Sequence, residues 1–416
     1  MISLDIIKKL PKSDLHVHLD GSVRIDTLID LAKEYHVELP SYTVDGMRQL
    51  VFKDRYNSLE EYLAPFSYMV RALQSEVALE RVAYEFAQDN QAEGVRYVEA
   101  RFAPHLHMHN HLSIENVLRS VNRGMARAKK EYNARPGVAG GKEPPFEYSI
   151  TVCAMRAFSK GISEFYDKNL HVHRFSPPER VYALASLELA HAAVVIRDQW
   201  GIPLTGFDLA GPEAGFPAED HIEAYDFVHK NFLMKTVHAG EAYGPESIFQ
   251  AITDLHADRI GHGTHLLKPS MINNSNIEDR EQYVDELAQY IADRRITLEI
   301  CLTSNLQTNP HLKKLEDHSF RQMKERRLST TFCTDNRTVS NTSVSRELQL
   351  AMSHLDLSTA DLKRSVIYGF KRSFFPGSYL DKRRYVRGII NYYESLEREH
   401  SELRSEEPRD QYGSGD

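Results

Sequence analysis

Apolar residues follow two alternating rhythms along this chain. Short runs rich in β-branched and aromatic residues alternate with longer stretches in which apolar positions recur every three or four residues. The short runs predict strands over Leu15–Asp20, Val95–Phe102, Tyr148–Met155, Thr205–Leu209, Leu233–Ala239, Arg259–His262, Ile296–Cys301 and Ser329–Thr334. Helical spacing is expected over 22–35 with Ser22 as its cap, over 59–92 with a break at Pro65, and over 113–132. Further helices are expected over 177–200, over 218–231, from Pro245, up to Asp293, over 311–327 and over 345–399. Eight strands, each followed by a helix, form the pattern of an α/β fold closed as a (β/α)8 TIM barrel, here with extra helices. Residues 1–400 are read as one domain and 401–416 as a polar, disordered tail. Segments 135–145 and 268–280 are long turn-rich or polar loops of unknown purpose.

The first strand carries an unusual alternation. Successive strand residues face opposite sides, so Leu15, Val17 and Leu19 form an apolar face and Asp14, His16, His18 and Asp20 a polar one. Two imidazoles two residues apart can grip one cation, with other ligands arriving from elsewhere; a solvated surface strand is the plain alternative. Barrel chemistry sits at the C-terminal ends of the strands. Those ends hold His16, His18 and Asp20, then Arg101, Arg156, Asp208 with Gly211, His238 with Glu241, His262, Ser304 with Asn305, and Asp335 with Asn336. His238 with a carboxylate three residues on suits a metal ligand beside an acid that does not touch the metal, or else a solvated loop. His262 stands between two glycines, and Asp335 appears where an apolar strand emerges. Three histidines and one aspartate suit zinc, which takes nitrogen and oxygen ligands and keeps one position open. The alternating His105, His107, His109 and His111, and the pair His171 and His173, read as solvated loops.

Composition narrows the classes. With 41% hydrophobic and 26% charged residues the chain is an ordinary globular one, and its net charge of -8 leaves no basic footprint for nucleic acid. Cys153, Cys301 and Cys333 sit apart inside apolar runs and read as buried free thiols, consistent with a reducing cytoplasm. No apolar run reaches membrane-spanning length, and residues 1–7 lack the basic start of a signal peptide, so neither a membrane partner nor export is expected. Oligomeric state is not legible.

Several segments together resemble the adenosine deaminase family of zinc hydrolases. They are Pro11-Lys-Ser-Asp-Leu-His-Val-His-Leu-Asp-Gly21, Val98-Glu-Ala-Arg-Phe-Ala-Pro-His105, Phe207-Asp-Leu-Ala-Gly-Pro-Glu213, Thr236-Val-His-Ala-Gly-Glu241, Arg259-Ile-Gly-His-Gly263, Glu299-Ile-Cys-Leu-Thr-Ser-Asn305 and Cys333-Thr-Asp-Asn336. The resemblance implies a metallo-dependent hydrolase barrel in which His16, His18, His238 and Asp335 hold one Zn2+ per chain. It implies Glu241 as proton donor and His262 as the group that orients or deprotonates the attacking water. Asp20 would reach the ribose, the Gly211 backbone N–H the purine, and His18 would border the substrate. The implied activity is deamination of adenosine and 2′-deoxyadenosine in purine salvage, the partner a small purine nucleoside. Adenine, aminofutalosine or N6-methyl-AMP are alternative substrates, and a catalytically silent purine-binding barrel is the alternative of another class. Where many members carry a second aspartate, this chain has Asn336, whose amide donates to a purine N7 without having to be protonated.

Overall fold

The computed structural model describes residues 2–57, 59–309 and 311–403. Eight parallel strands, β1 (Lys12–His18), β2 (Val95–Phe102), β3 (Glu147–Met155), β4 (Leu204–Ala210), β5 (Met234–Ala239), β6 (Arg259–His262), β7 (Thr297–Ile300) and β8 (Ser329–Phe332), pair in chain order. The ring closes just past β8, where Asp335 N–H donates to His16 O at 2.8 Å and His18 N–H to Asp335 O at 2.7 Å. Leu15 and Val17, which face outward from β1, are wholly buried under the surrounding helices. This is the (β/α)8 barrel that the apolar rhythm implies.

Several boundaries differ from the sequence-based expectations. β1 ends at His18 because Asp20–Ser22 turn into a short 3-10 helix. Ser22 is not the cap of the next helix (Ile25–Glu34), since its hydroxyl donates to His18 O at 2.6 Å. The stretch 59–92 divides into three helices, Leu59–Leu63, Phe66–Ala72 and Glu76–Ala92. Residues 311–327 are not one helix. A helix spans Leu302–Thr308 instead, followed by a turn at Leu315–Asp317 and a helix over Phe320–Glu325. Side chains bend this segment: Asn309 Oδ1 accepts the His311 N–H at 3.0 Å, and His318 Nδ1 accepts the Phe320 N–H at 3.0 Å. The loop at 135–145 contains a short helix, Pro136–Ala139. Of the tail expected over 401–416, only 401–403 lie among the described residues, as a 3-10 turn.

The solvated-loop reading of His105–His111 fails for its first half. His105 is buried with its ring stacked on Phe165 at 3.8 Å, and buried His107 shares a hydrogen bond with Leu73 O at 3.0 Å. Segments distant in sequence fold over these rings, a cover that local polarity does not reveal. Among the described residues no helix is long and apolar enough to cross a membrane.

The barrel interior is polar. Arg101 pairs with Asp208 at 3.2 Å and with Glu299 at 2.9 Å, while Arg259 pairs with Glu299 at 2.6 Å and also with Glu99. All five side chains are buried. Phe374 lies against the Arg259 guanidinium at 3.5 Å and donates its N–H to Glu99 at 2.6 Å, closing the floor. These charges are tolerated because each meets an opposite one.

Candidate active site

The upper ends of three strands and the turn after β8 converge on one point. β1 delivers His16 and His18, β5 His238, β6 His262, and the post-β8 turn Asp335. His262 and Asp335 hold left-handed backbone conformations, φ 65° and 58°. Such positions cost about 1–3 kcal/mol in a side-chain-bearing residue and concentrate at functional sites. Here the turn is held by the Asp335–β1 hydrogen bonds that close the barrel.

Ligand-capable atoms of His16, His238, His262 and Asp335 all lie within 4.8 Å of one another. His18 joins them, its Nε2 being 3.2 Å from His238 Nε2 and 3.6 Å from Asp335 Oδ1. His16 Nε2 is also 3.6 Å from Asp335 Oδ1. Donors about 2.0–2.1 Å from a tetrahedral zinc stand roughly 3.3 Å apart, so this spacing fits such an ion. The donor chemistry fits as well. His16 Nδ1 faces Glu299 Oε2 at 2.8 Å and His238 Nδ1 faces Asp208 Oδ2 at 3.0 Å. A carboxylate on one ring nitrogen fixes the tautomer and turns the other nitrogen's lone pair to a metal. His16 Nε2 is indeed buried with no partner in the protein. His262 is set apart, since its Nδ1 meets the Asn305 amide nitrogen at 3.0 Å and no carboxylate. Burial alone would raise the Asp208 carboxyl, but the Arg101 guanidinium and the His238 ring hold it below the usual carboxylate range.

Glu241 stands beside this group, its Oε2 3.6 Å from His262 Nε2. Burial, with the Asp335 carboxylate adding to it, pushes its pKa up to about 8. The turn that carries Glu241 is pinned by Glu213, whose carboxylate accepts the backbone N–H groups of Gly240 at 2.7 Å, Glu241 at 3.1 Å, Ala242 at 2.7 Å and Tyr243 at 2.9 Å. It also accepts the Ser247 hydroxyl.

Above lies a cavity of about 690 Å³ lined by His18, Asp20, Gly211, His238, Glu241, His262, Asp335 and Asn336. Phe66, Val70, Leu106, Phe158 and Phe216 are among its apolar lining residues, and among the described residues Arg71 is its only lysine or arginine. Asp20 Oδ1 and Asn336 Oδ1 are buried without protein partners. Asn336 Nδ2 donates to Tyr62 Oη at 2.8 Å, leaving its second hydrogen free. Gly211 sits at φ 101°, which lets the backbone turn at the cavity wall. Gly21 makes room for the Asn336 amide, since a Cβ there would fall 1.8 Å from Asn336 Oδ1.

The structure therefore brings His18, Asp20, Gly211, His238, Glu241, His262, Asp335 and Asn336 to one barrel mouth, with His16 just beneath the cavity, whereas Arg101 and Asp208 belong to the interior ion pairs. Sequence reading passed over Glu299, Glu213 and Tyr62, and placed Asp208 at a strand end without giving it a role. Glu299 and Glu213 lie inside the family-like segments quoted above, which is the one signal that could have drawn attention to them.

The chain is similar to several known proteins. A family model described as adenosine deaminase matches residues 11–391. An adenosine deaminase of Mycobacterium avium is 34% identical over 378 residues, covering 90% of this chain and 93% of that protein. Among solved structures, an amidohydrolase of Burkholderia ambifaria with bound zinc has a TM-score of 0.74 at 19% identity, covering 96% of this chain and 95% of that one. The N6-methyl-AMP deaminase of Arabidopsis thaliana has a TM-score of 0.70 at 22% identity, covering 96% and 100%. The fold is shared with both structures. By its match to the family model over nearly its whole length, and by its likeness to the mycobacterial enzyme, the chain belongs to the adenosine deaminase family.

Proposed function

We propose that this chain hydrolyses the 6-amino group of adenosine and 2′-deoxyadenosine, releasing ammonia and giving inosine and 2′-deoxyinosine, with one zinc ion per chain. Residues 1–400 act as one catalytic unit. Three buried free cysteines suit a reducing cytoplasm. The observation that carries the reading is a metal-type donor set directly beside the buried Glu241 carboxyl, whose pKa burial raises to about 8.

His16, His18, His238 and Asp335 hold the metal. His18 is preferred to His262 as the third imidazole because the Asn305 amide occupies His262 Nδ1. When bound, zinc lowers the pKa of water to about 7 and so makes a strong nucleophile available. Glu241, protonated, donates to purine N1 as charge builds there, and His262 holds the attacking water in line with C6. Asp20 Oδ1, an acceptor without a protein partner, takes a ribose hydroxyl. Asn336 gives its free amide hydrogen to N7, while Tyr62 holds the other. Apolar walls exclude bulk water and cradle the ring.

Arg71, the one cation of the lining, already donates to Ser67 O at 3.1 Å and leans on the Tyr68 ring. Among the described residues no cationic cluster is left for a phosphate, so a nucleoside is preferred to a nucleotide. A panel of adenosine, 2′-deoxyadenosine, adenine, aminofutalosine and N6-methyl-AMP, followed by the loss of adenine-band absorbance and by metal analysis, tests this. Turnover of another aminopurine with none of adenosine would overturn it.

A further inference from the structure

Asn305, on the Leu302–Thr308 helix, is buried against His262, and His318, just ahead of the Phe320–Glu325 helix, is buried behind Asn305; the scheme above uses Asn305 only to set His262 apart from the ligands and does not use His318. Their hydrogen bonds run in one direction only. The Phe320 backbone N–H donates to His318 Nδ1 at 3.0 Å, so that nitrogen bears no proton. Burial lowers the His318 pKa to about 4, and the neutral ring carries its hydrogen on Nε2. His318 Nε2–H therefore donates to Asn305 Oδ1 at 3.2 Å, which settles which end of that amide is oxygen. The amide nitrogen, turned the other way, donates to His262 Nδ1 at 3.0 Å. The His262 proton is left on Nε2, the atom 3.6 Å from Glu241 Oε2. The start of the relay is a backbone amide in the first turn of a helix, which has no acceptor within that helix and is satisfied by an imidazole instead.

We infer that Asn305 and His318 are positioning residues that lock His262 in its Nε2–H tautomer, so that this ring meets the attacking water as a hydrogen-bond donor. The inference rests on the deaminase reading for its catalytic consequence, though not for the tautomer. It also explains why His262, although near enough to be counted with the ligands, differs from His16 and His238. Those rings face carboxylates through Nδ1 and keep a lone pair on Nε2, whereas His262 faces a donor and does not.

The test uses the zinc-loaded full chain with 15N-labelled histidine, the His262 signals being identified by their loss in His262→Gln. The wild type should show a protonated Nε2 and a bare Nδ1 on His262. Asn305→Asp replaces the donor by a carboxylate, and the pattern should invert. Its kcat should fall by about 10²–10³, the usual loss for one oriented donor, with KM and zinc content unchanged. His318→Leu, which frees the amide to flip, should lose part of kcat, and His318→Gln, which still presents an N–H, should restore it. A bare Nε2 in the wild type, or wild-type turnover by Asn305→Asp with the ring inverted, would overturn the inference. Absence of turnover on every aminopurine would overturn the deaminase reading instead, while the spectrum would still decide the tautomer.

Discussion

Two polar regions are stacked inside this barrel, and both are buried. In the lower one, the two guanidiniums of Arg101 and Arg259 pair with the three carboxylates of Glu99, Asp208 and Glu299. In the upper one, His16 Nε2 and Asp20 Oδ1 have no hydrogen-bond partner in the protein. An unanswered buried polar atom costs about 1–3 kcal/mol; the lower region leaves one, Arg101 Nε, on a guanidinium whose other nitrogens are paired, whereas the upper region leaves open the atoms that face metal and substrate. The contrast separates scaffold from site. Groups closed on each other fix geometry, and groups left open wait for metal and substrate. Glu299 belongs to both, with one oxygen shared between Arg101 and His16 and the other on Arg259.

The sharpest way to test the contrast is to disable the upper region without touching the lower. Glu241→Gln keeps shape and hydrogen bonding but removes the donated proton. Turnover should fall by about 10²–10⁴, the usual contribution of a positioned acid, with zinc content and melting temperature unchanged. Wild-type turnover would remove Glu241 from the mechanism. The reverse experiment breaks the lower region. Arg101→Met strips two buried carboxylates of their shared cation and should cost about 3–5 kcal/mol in a denaturant titration. A loss of only a few tenths would mean that the ion pairs are not what holds the floor.

Between these lies the residue common to both. Glu299→Gln should weaken zinc binding by about 10–100-fold in a chelator competition, the range for losing the carboxylate behind a ligating histidine. Asp208→Asn, acting through His238, should give a loss of the same order. If the two differ widely, the rings are not oriented by equivalent partners.

How far the sequence could be read follows from the same division. The barrel was legible because period-two and period-3.6 patterns report burial locally, and β2 and β6 begin and end where the apolar run does. The open groups were legible because His16, His18, His238, His262 and Asp335 break an apolar run at a strand end. The closed groups were not. Arg101 stood out at a strand end but suggested chemistry, and only its pairing with Glu299, 198 residues further on, shows that it is structural. Tyr62, whose hydroxyl meets Ser340 at 2.7 Å, lies in a helix whose spacing says only that it packs. His105 was misread because its cover, Phe165, comes from a helix after β3.

Asp14 lies on the seam and gives the smallest effect. It was the one polar residue of the first strand without a role, and the structure ties it to the turn that carries Asp335. Its Oδ2 accepts the Thr334 hydroxyl at 2.6 Å and its Oδ1 the Thr334 N–H at 3.3 Å. It is a closed group, yet burial pushes its pKa up to about 7. An unfolded aspartate titrates near 4, so the folded chain binds more protons between those values. Stability from this group is then fully present below about 4 and is lost as pH rises through about 7. Asp14→Asn keeps an acceptor for Thr334 but has nothing to ionise. Its stability relative to the wild type should therefore rise between pH 5 and pH 8 when both are unfolded by denaturant. A parallel pH dependence in the two proteins would show that Asp14 is ionised throughout, and that the Thr334 hydrogen bonds and the nearby Arg337 cation outweigh its burial.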